Sequence, residues 1–90
     1  MKKHFAIKIS GVVQGVYFRA STRERADALK ITGFVRNEPD GSVYVEAEGD
    51  ESNLDVFIQW CHQGPAHAVV EKCEVQSGTV KGFSSFTIQR

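Results

Sequence analysis

Phe5, Ile7 and Ile9 alternate with Ala6, Lys8 and Ser10, the period-two pattern of a strand with one buried face. The stretch Gly11 to Arg19 carries two glycines, breaks the alternation and predicts a loop. A helix fits from about Ser21 to Ile31. Thr22, Ala26 and Leu29 share one face at i, i+4 and i+7, while Arg23, Glu24, Asp27 and Lys30 face water. Phe34 to Glu38 follows the break at Gly33 as a short second strand. Pro39-Asp40-Gly41-Ser42 is turn chemistry, with Asp-Gly supplying the positive φ angles of a tight hairpin. Val43, Val45 and Ala47 then alternate with Tyr44, Glu46 and Glu48 in a third strand. The acidic run Glu46, Glu48, Asp50 and Glu51 reads as a solvated hairpin and helix start. Asp50 is an N-cap candidate for a second helix striped by Leu54, Phe57, Ile58 and Cys61, with Trp60 at the core edge. Gly64-Pro65 stops that helix, a fourth strand fits Ala68 to Gln76, and a short fifth fits Ser85 to Gln89.

The order is β-α-β-β-α-β with a short extra C-terminal strand. Helices with one apolar face each must bury that face on a sheet, which predicts an α+β, ferredoxin-like two-layer sandwich. Its antiparallel sheet is covered by two helices on one face. That architecture hosts unrelated activities, so the site must decide the function.

Composition narrows the classes. Ninety residues without a repeat or linker predict one domain, residues 1–90, and 41% apolar with 24% charged residues is ordinary globular composition. Eleven Lys and Arg offset eleven Asp and Glu, which argues against broad binding to nucleic acid or an anionic membrane but leaves room for a local cationic pocket. No apolar run approaches the ~20 residues of a membrane span, and Met1-Lys2-Lys3-His4-Phe5 lacks the apolar core of a signal peptide. A cytoplasmic monomer is the expectation. Cys61 and Cys73 have neither CxxC nor zinc-finger spacing and read as reduced, half-buried thiols. His4, His62 and His67 have no carboxylate or Cys partner at ligand spacing, so no metal is expected. The acidic third strand argues against an RNA-recognition face, and a loop without cysteine excludes a copper chaperone.

Candidate chemistry concentrates in Gly11-Val12-Val13-Gln14-Gly15-Val16-Tyr17-Phe18-Arg19. A loop between strand and helix can turn successive N–H groups toward the positive end of the helix dipole. Glycine at 15 admits a close oxyanion, and Arg19, at the junction of loop and helix, can reach the same anion with two parallel hydrogen bonds. The competing reading is a tight turn with a surface arginine.

The same stretch, followed by Gly33-x-Val35-x-Asn37-x-x-Asp40-Gly41-x-Val43, resembles the signature of the acylphosphatase family. The likeness continues through Ala47-Glu48-Gly49, the Gly64-Pro65 to Ala68 stretch and Phe86-x-Ile88. It implies a metal-independent hydrolase that cleaves small acyl phosphates to a carboxylate and inorganic phosphate, with no cofactor. It further implies that backbone amides of the loop Gln14, Gly15, Val16, Tyr17 and Phe18 hold the phosphate. Arg19 would bind the phosphoryl oxygens, Asn37 would position the attacking water, and Val13, Val16 and Phe18 would pack the loop.

Lys30 stands where family members commonly carry Gly, which predicts a left-handed residue there. Tyr17 and Phe34 are either packing residues or walls of an acyl pocket. Arg23 and Arg25 read as solvated helix charges, and Arg36 alternates away from Asn37. Two other readings compete with the enzyme. One is a module that binds phosphate without turnover. The other is a detached form of the acylphosphatase-like domain at the front of larger carbamoyl-phosphate-using maturation proteins. The chain's end directly after the fifth strand favours a standalone protein.

Overall fold

A computed structural model describes residues 1–89. Its elements are β1 (Lys2–Val12), α1 (Phe18–Ala28), β2 (Thr32–Asn37), β3 (Val43–Asp50), α2 (Glu51–Gln63), β4 (Val69–Gly78) and β5 (Phe86–Ile88). The strands form one sheet in the order β4-β1-β3-β2-β5. The four longer strands pair antiparallel, as the pattern predicts. β5 adds at the edge in parallel with β2, so the complete sheet is mixed.

Ile7, Ile9, Val35, Val43, Val45 and Ala47 bury the helix-facing side of the sheet against Phe18 and Ala26 of α1 and Leu54, Phe57 and Cys61 of α2. Phe57 meets Phe86 edge-on at 6.2 Å, which ties β5 to the core. Several boundaries differ from the sequence expectation: α1 ends at Ala28 and not Ile31, β2 begins at Thr32 and not Phe34, and β4 runs on to Gly78; two further shifts have a local cause. β1 runs on through Gly11 and Val12: its register against β4 shifts between Ser10 and Gly11, where Glu71 of β4 is the extra residue of a bulge, and Gly11, at φ 129°, lies too close to the Val69 carbonyl to carry a Cβ. α1 starts three residues early, at Phe18, whose ring is buried beside Trp60 at 5.5 Å. The hairpin joining β2 and β3 is likewise wider than a two-residue turn. Glu38 N–H donates to Ser42 C=O at 2.8 Å, Gly41 N–H returns to Glu38 C=O at 3.1 Å, and only Gly41 takes positive φ. Asp40 accepts from the Ser42 hydroxyl at 2.6 Å and its N–H at 3.0 Å. These bonds, with Lys8 at 3.0 Å, hold its carboxyl well below the usual carboxylate range.

The other face of the sheet corrects the expectation of a solvated acidic run and of a His4 without carboxylate partners. Glu48 is fully buried, and Glu46 and His4 are nearly so. His4 Nδ1 lies 2.7 Å from Glu48 Oε2 and Nε2 lies 3.2 Å from Glu46 Oε1. The segment between β4 and β5 crosses over them. Lys81, Gly82 and Phe83 donate backbone N–H groups to the Glu48 carboxylate, and Lys81 Nζ reaches Glu46 Oε1 at 2.8 Å. Burial pushes the Glu48 carboxyl up, but the hydrogen bonds from Lys81, His4, Phe83 and Gly82 outweigh it and hold the group below its ordinary value. Phe83 closes this face by stacking on His4 at 6.0 Å and meeting Phe34 edge-on at 5.8 Å.

Candidate active site

The segment Val13 to Tyr17 links the end of β1 to the start of α1. Val13 and Phe18 are buried in the core and Val16 packs against that core, so the apolar residues of the loop anchor it. Phe18 fits because Gly64, which ends α2, lies directly against its ring: a Cβ at 64 would come within 2.7 Å of Phe18 Cε2. The loop is also tied from the outside. The Gln14 side-chain amide donates to Glu38 C=O at 2.8 Å and to Ser42 C=O at 2.9 Å, clamping it to the β2–β3 hairpin just beyond Asn37. Spacing alone gave no sign of this clamp, because the partners are backbone carbonyls 24 and 28 residues away.

Gly15 has φ 74°, and nothing lies within 4 Å of where a Cβ would sit, so the backbone there is open to a close anion. Tyr17, the N-cap of α1, is left-handed at φ 61° and makes no side-chain capping hydrogen bond. The first N–H groups of a helix have no intrahelical acceptor, and they carry the positive end of its dipole. Arg19 is the second residue of that helix and forms no ion pair with an acidic side chain among the described residues. Asn37 ends β2, and its Oδ1 is buried without a hydrogen-bond partner among the described residues. A buried acceptor without a protein donor is the kind of group that a bound water or ligand satisfies.

Gly15, Tyr17, Phe18, Arg19 and Asn37 all line one cleft of about 790 Å³, together with Val13, Ala20 and Ile88. No Asp, Glu, His or Cys is among these lining residues. Gln14 and Val16 do not line it: Gln14 turns to the hairpin and Val16 to the core. Ile88, from the parallel edge strand, is a wall that periodicity could not place, since β5 reaches the site only through its pairing with β2. Tyr17 is 81% exposed at the cleft. Phe34 lies on the opposite face of the sheet with Tyr44 and Phe83, so it is a packing residue. Arg36 is there too, 5.5 Å from the Phe34 ring centre and 4.9 Å from that of Tyr44. Arg25 lies over Trp60 at 5.7 Å. Lys30 is left-handed at φ 57°, as expected for a position that suits glycine.

The sequence model of the Acylphosphatase family matches residues 5–88. An acylphosphatase of Rubrobacter xylanophilus is 49% identical over 85 residues, 90% of this chain and 77% of that protein. The crystal structure of an acylphosphatase from Bacillus subtilis superposes with a TM-score of 0.95 at 33% identity, covering both chains completely. Full-length HypF in its phosphate- and nucleotide-bound form matches all of this chain over 12% of its own, with a TM-score of 0.90 at 28% identity. With nearly its whole length matched in sequence and fold, the chain belongs to the acylphosphatase family.

Proposed function

We propose that the chain is a metal-independent acylphosphatase in which Arg19 and the loop amides of residues 14–18 hold a phosphoryl group while Asn37 positions the attacking water. Family membership supports hydrolysis of acyl phosphates. The observation that carries the finer reading is the meeting of Arg19, the open backbone at Gly15 and the unpartnered Asn37 Oδ1 around one cleft.

The chemistry suits these groups. A carboxylic–phosphoric anhydride already has a good leaving group, so the task is to align water with the scissile P–O bond and to support charge on the non-bridging oxygens. Arg19 and the N–H groups supply that support. Asn37 accepts from the water without repelling the anionic phosphate as a carboxylate would. Water oxygen bonds to phosphorus as the P–O bond to the acyl carboxylate breaks, and the carboxylate leaves with the electron pair. With no Asp, Glu, His or Cys among the described residues that line the cleft, a phosphoryl oxygen accepts the water proton. The expectation that goes with this reading is one acylphosphatase-like domain, residues 1–90, acting as a cytoplasmic monomer on a small acyl phosphate.

The test is phosphate release from benzoyl phosphate with EDTA present, for the wild type, Arg19→Ala and Asn37→Ala. Arg19→Ala is expected to lower turnover on the order of 10³-fold and to weaken substrate binding, and Asn37→Ala to act mainly on kcat. A folded wild type that binds phosphate without hydrolysis identifies a binding module instead. A pH–rate profile governed by a protein group titrating near neutrality counts against phosphate as the proton acceptor.

A further inference from the structure

The wall that Ile88 gives the cleft around Arg19 and Asn37 hangs on a short strand. β5 has three residues and docks in parallel on β2 at the outer edge of the sheet. The Phe86 ring meets Phe57 at 6.2 Å, Gly33 N–H donates to Ser85 C=O at 3.0 Å, and Gln89 N–H donates to Val35 C=O at 2.9 Å. Val35 is the register partner of Ile88 and stands two residues before Asn37. The seating of β5 on β2 therefore sets where the Ile88 wall stands relative to Asn37.

The connection that leads into β5, residues 79–85, is exposed at every position except Phe83, which is half-buried. A segment with so little buried apolar surface opens locally at low cost unless hydrogen bonds hold it. They come from the face of the sheet turned away from the helices. The N–H groups of three successive residues, Lys81, Gly82 and Phe83, converge on the Glu48 carboxylate, the last two at 3.0 and 3.2 Å from Oε1. Gly82, at φ 79°, supplies the left-handed turn that aims them at one anion. Bonds to an ionised acceptor are stronger than neutral ones. Glu48 is itself fully buried, with His4 Nδ1 at 2.7 Å, and the Phe83 ring stacks on His4 and meets Phe34 edge-on.

We propose that Glu48 is a positioning residue for the hydrolysis: from the far face of the sheet it holds the 79–85 connection, hence β5, and hence the Ile88 wall against which the acyl part of the substrate rests. The proposal rests on the catalytic reading of the cleft given above. Glu48 touches no reacting atom, and its effect passes through the chain that it fastens. Two consequences separate it from a residue that only stabilises the fold. A loss of global stability removes active molecules, which lowers the apparent kcat and leaves the KM of the folded remainder unchanged. A displaced wall weakens the hold on the acyl group in ground state and transition state alike, which raises KM and leaves kcat in place. Because both side chains act through one wall, their effects are coupled and do not add.

The experiment measures benzoyl phosphate hydrolysis by the wild type, Glu48→Gln, Ile88→Ala and the double variant, each shown by circular dichroism to be folded at the assay temperature. Each single variant is expected to raise KM about fivefold with kcat within about twofold of the wild type, and the double variant to raise KM no further than the larger single one. Amide hydrogen exchange followed by NMR gives a second readout. In Glu48→Gln the Gly33 and Gln89 N–H groups, which fasten β5 to β2, should exchange faster relative to the amides between β1 and β3. Phe83→Leu, which takes the ring from His4 and Phe34 but leaves the carboxylate in place, carries the same test if Glu48→Gln does not fold. It should raise KM in the same direction and again fail to add to Ile88→Ala. An unchanged KM in the folded variant, a loss confined to kcat, KM effects that multiply in the double variant, or an unaltered exchange pattern overturns the positioning role, although the wild type still hydrolyses the substrate. A wild type inert toward benzoyl phosphate overturns the catalytic reading itself, and the positioning role with it.

Discussion

Glu48→Gln tests whether a buried carboxylate pins the segment before β5. The side chain is fully buried, pairs with His4 at 2.7 Å and accepts the N–H groups of Gly82 at 3.0 Å and Phe83 at 3.2 Å, as well as that of Lys81. Glutamine keeps the shape but removes the charge facing His4 and turns one acceptor atom into a donor aimed at other donors. Hydrogen bonds to a charged group contribute about 1.5–3 kcal/mol each, and glutamine loses or weakens at least two of them, so the variant should be destabilised by about 3 kcal/mol or more. A domain of this size holds roughly 5–13 kcal/mol in total, so the loss is a large fraction of the whole. At about 4–8 °C per kcal/mol, Tm should fall by at least roughly 12 °C. Urea unfolding followed through the single tryptophan, Trp60, and through circular dichroism measures it. A loss below about 1 kcal/mol refutes the reasoning, since it is no more than one ordinary neutral hydrogen bond contributes. The pH dependence must agree. Hydrogen bonds from Lys81 and Tyr44 hold the Glu46 carboxyl below its ordinary value against the opposing effect of burial, and Glu48 is held low in the same way. Both groups therefore titrate lower in the folded chain than in the unfolded one. Their contribution is complete above the ordinary value of 4.5 and is lost as pH falls through the folded-state values. The wild type should lose stability steeply there, and Glu48→Gln less steeply.

Gln14→Leu removes the two hydrogen bonds that clamp the loop to the hairpin, at about 1–3 kcal/mol together, and should raise the Kd for inorganic phosphate in a calorimetric titration; an unchanged Kd means that the clamp does not set the loop. Lys30→Gly relieves a left-handed side chain at φ 57° and is expected to add about 1 kcal/mol of stability, seen as a higher Tm in scanning calorimetry. Cys61 is fully buried, and burial, followed by the neighbouring Cys73, pushes its thiol far above the ordinary value. A thiol-reactive dye should therefore label Cys73 in the native protein and Cys61 only on unfolding, with mass spectrometry of the peptides assigning the site.

Local pattern and tertiary context divide the explanation of this protein. The alternation of Phe5, Ile7 and Ile9, the Thr22–Ala26 face and the Leu54–Phe57–Cys61 stripe were legible because burial repeats with the period of the element that carries it. The loop between β1 and α1, with Gly15 and Arg19, was legible because glycine and a basic residue at a helix start have few local explanations. The family signature added Asn37, whose part in the cleft no periodicity indicates. Three features belong to tertiary structure alone. α1 begins at Phe18 because the ring is captured by Trp60 and Gly64 from α2, not because a capping residue starts a helix. Ile88 reaches the cleft because a three-residue strand docks in parallel on β2, a pairing with no local turn to announce it. Glu46 and Glu48, polar positions on an alternating strand, are buried because a segment more than 30 residues later crosses their face and brings N–H donors to them. Alternation identifies two faces of a strand, but whether the polar face meets water or another part of the chain depends on contacts distant in sequence.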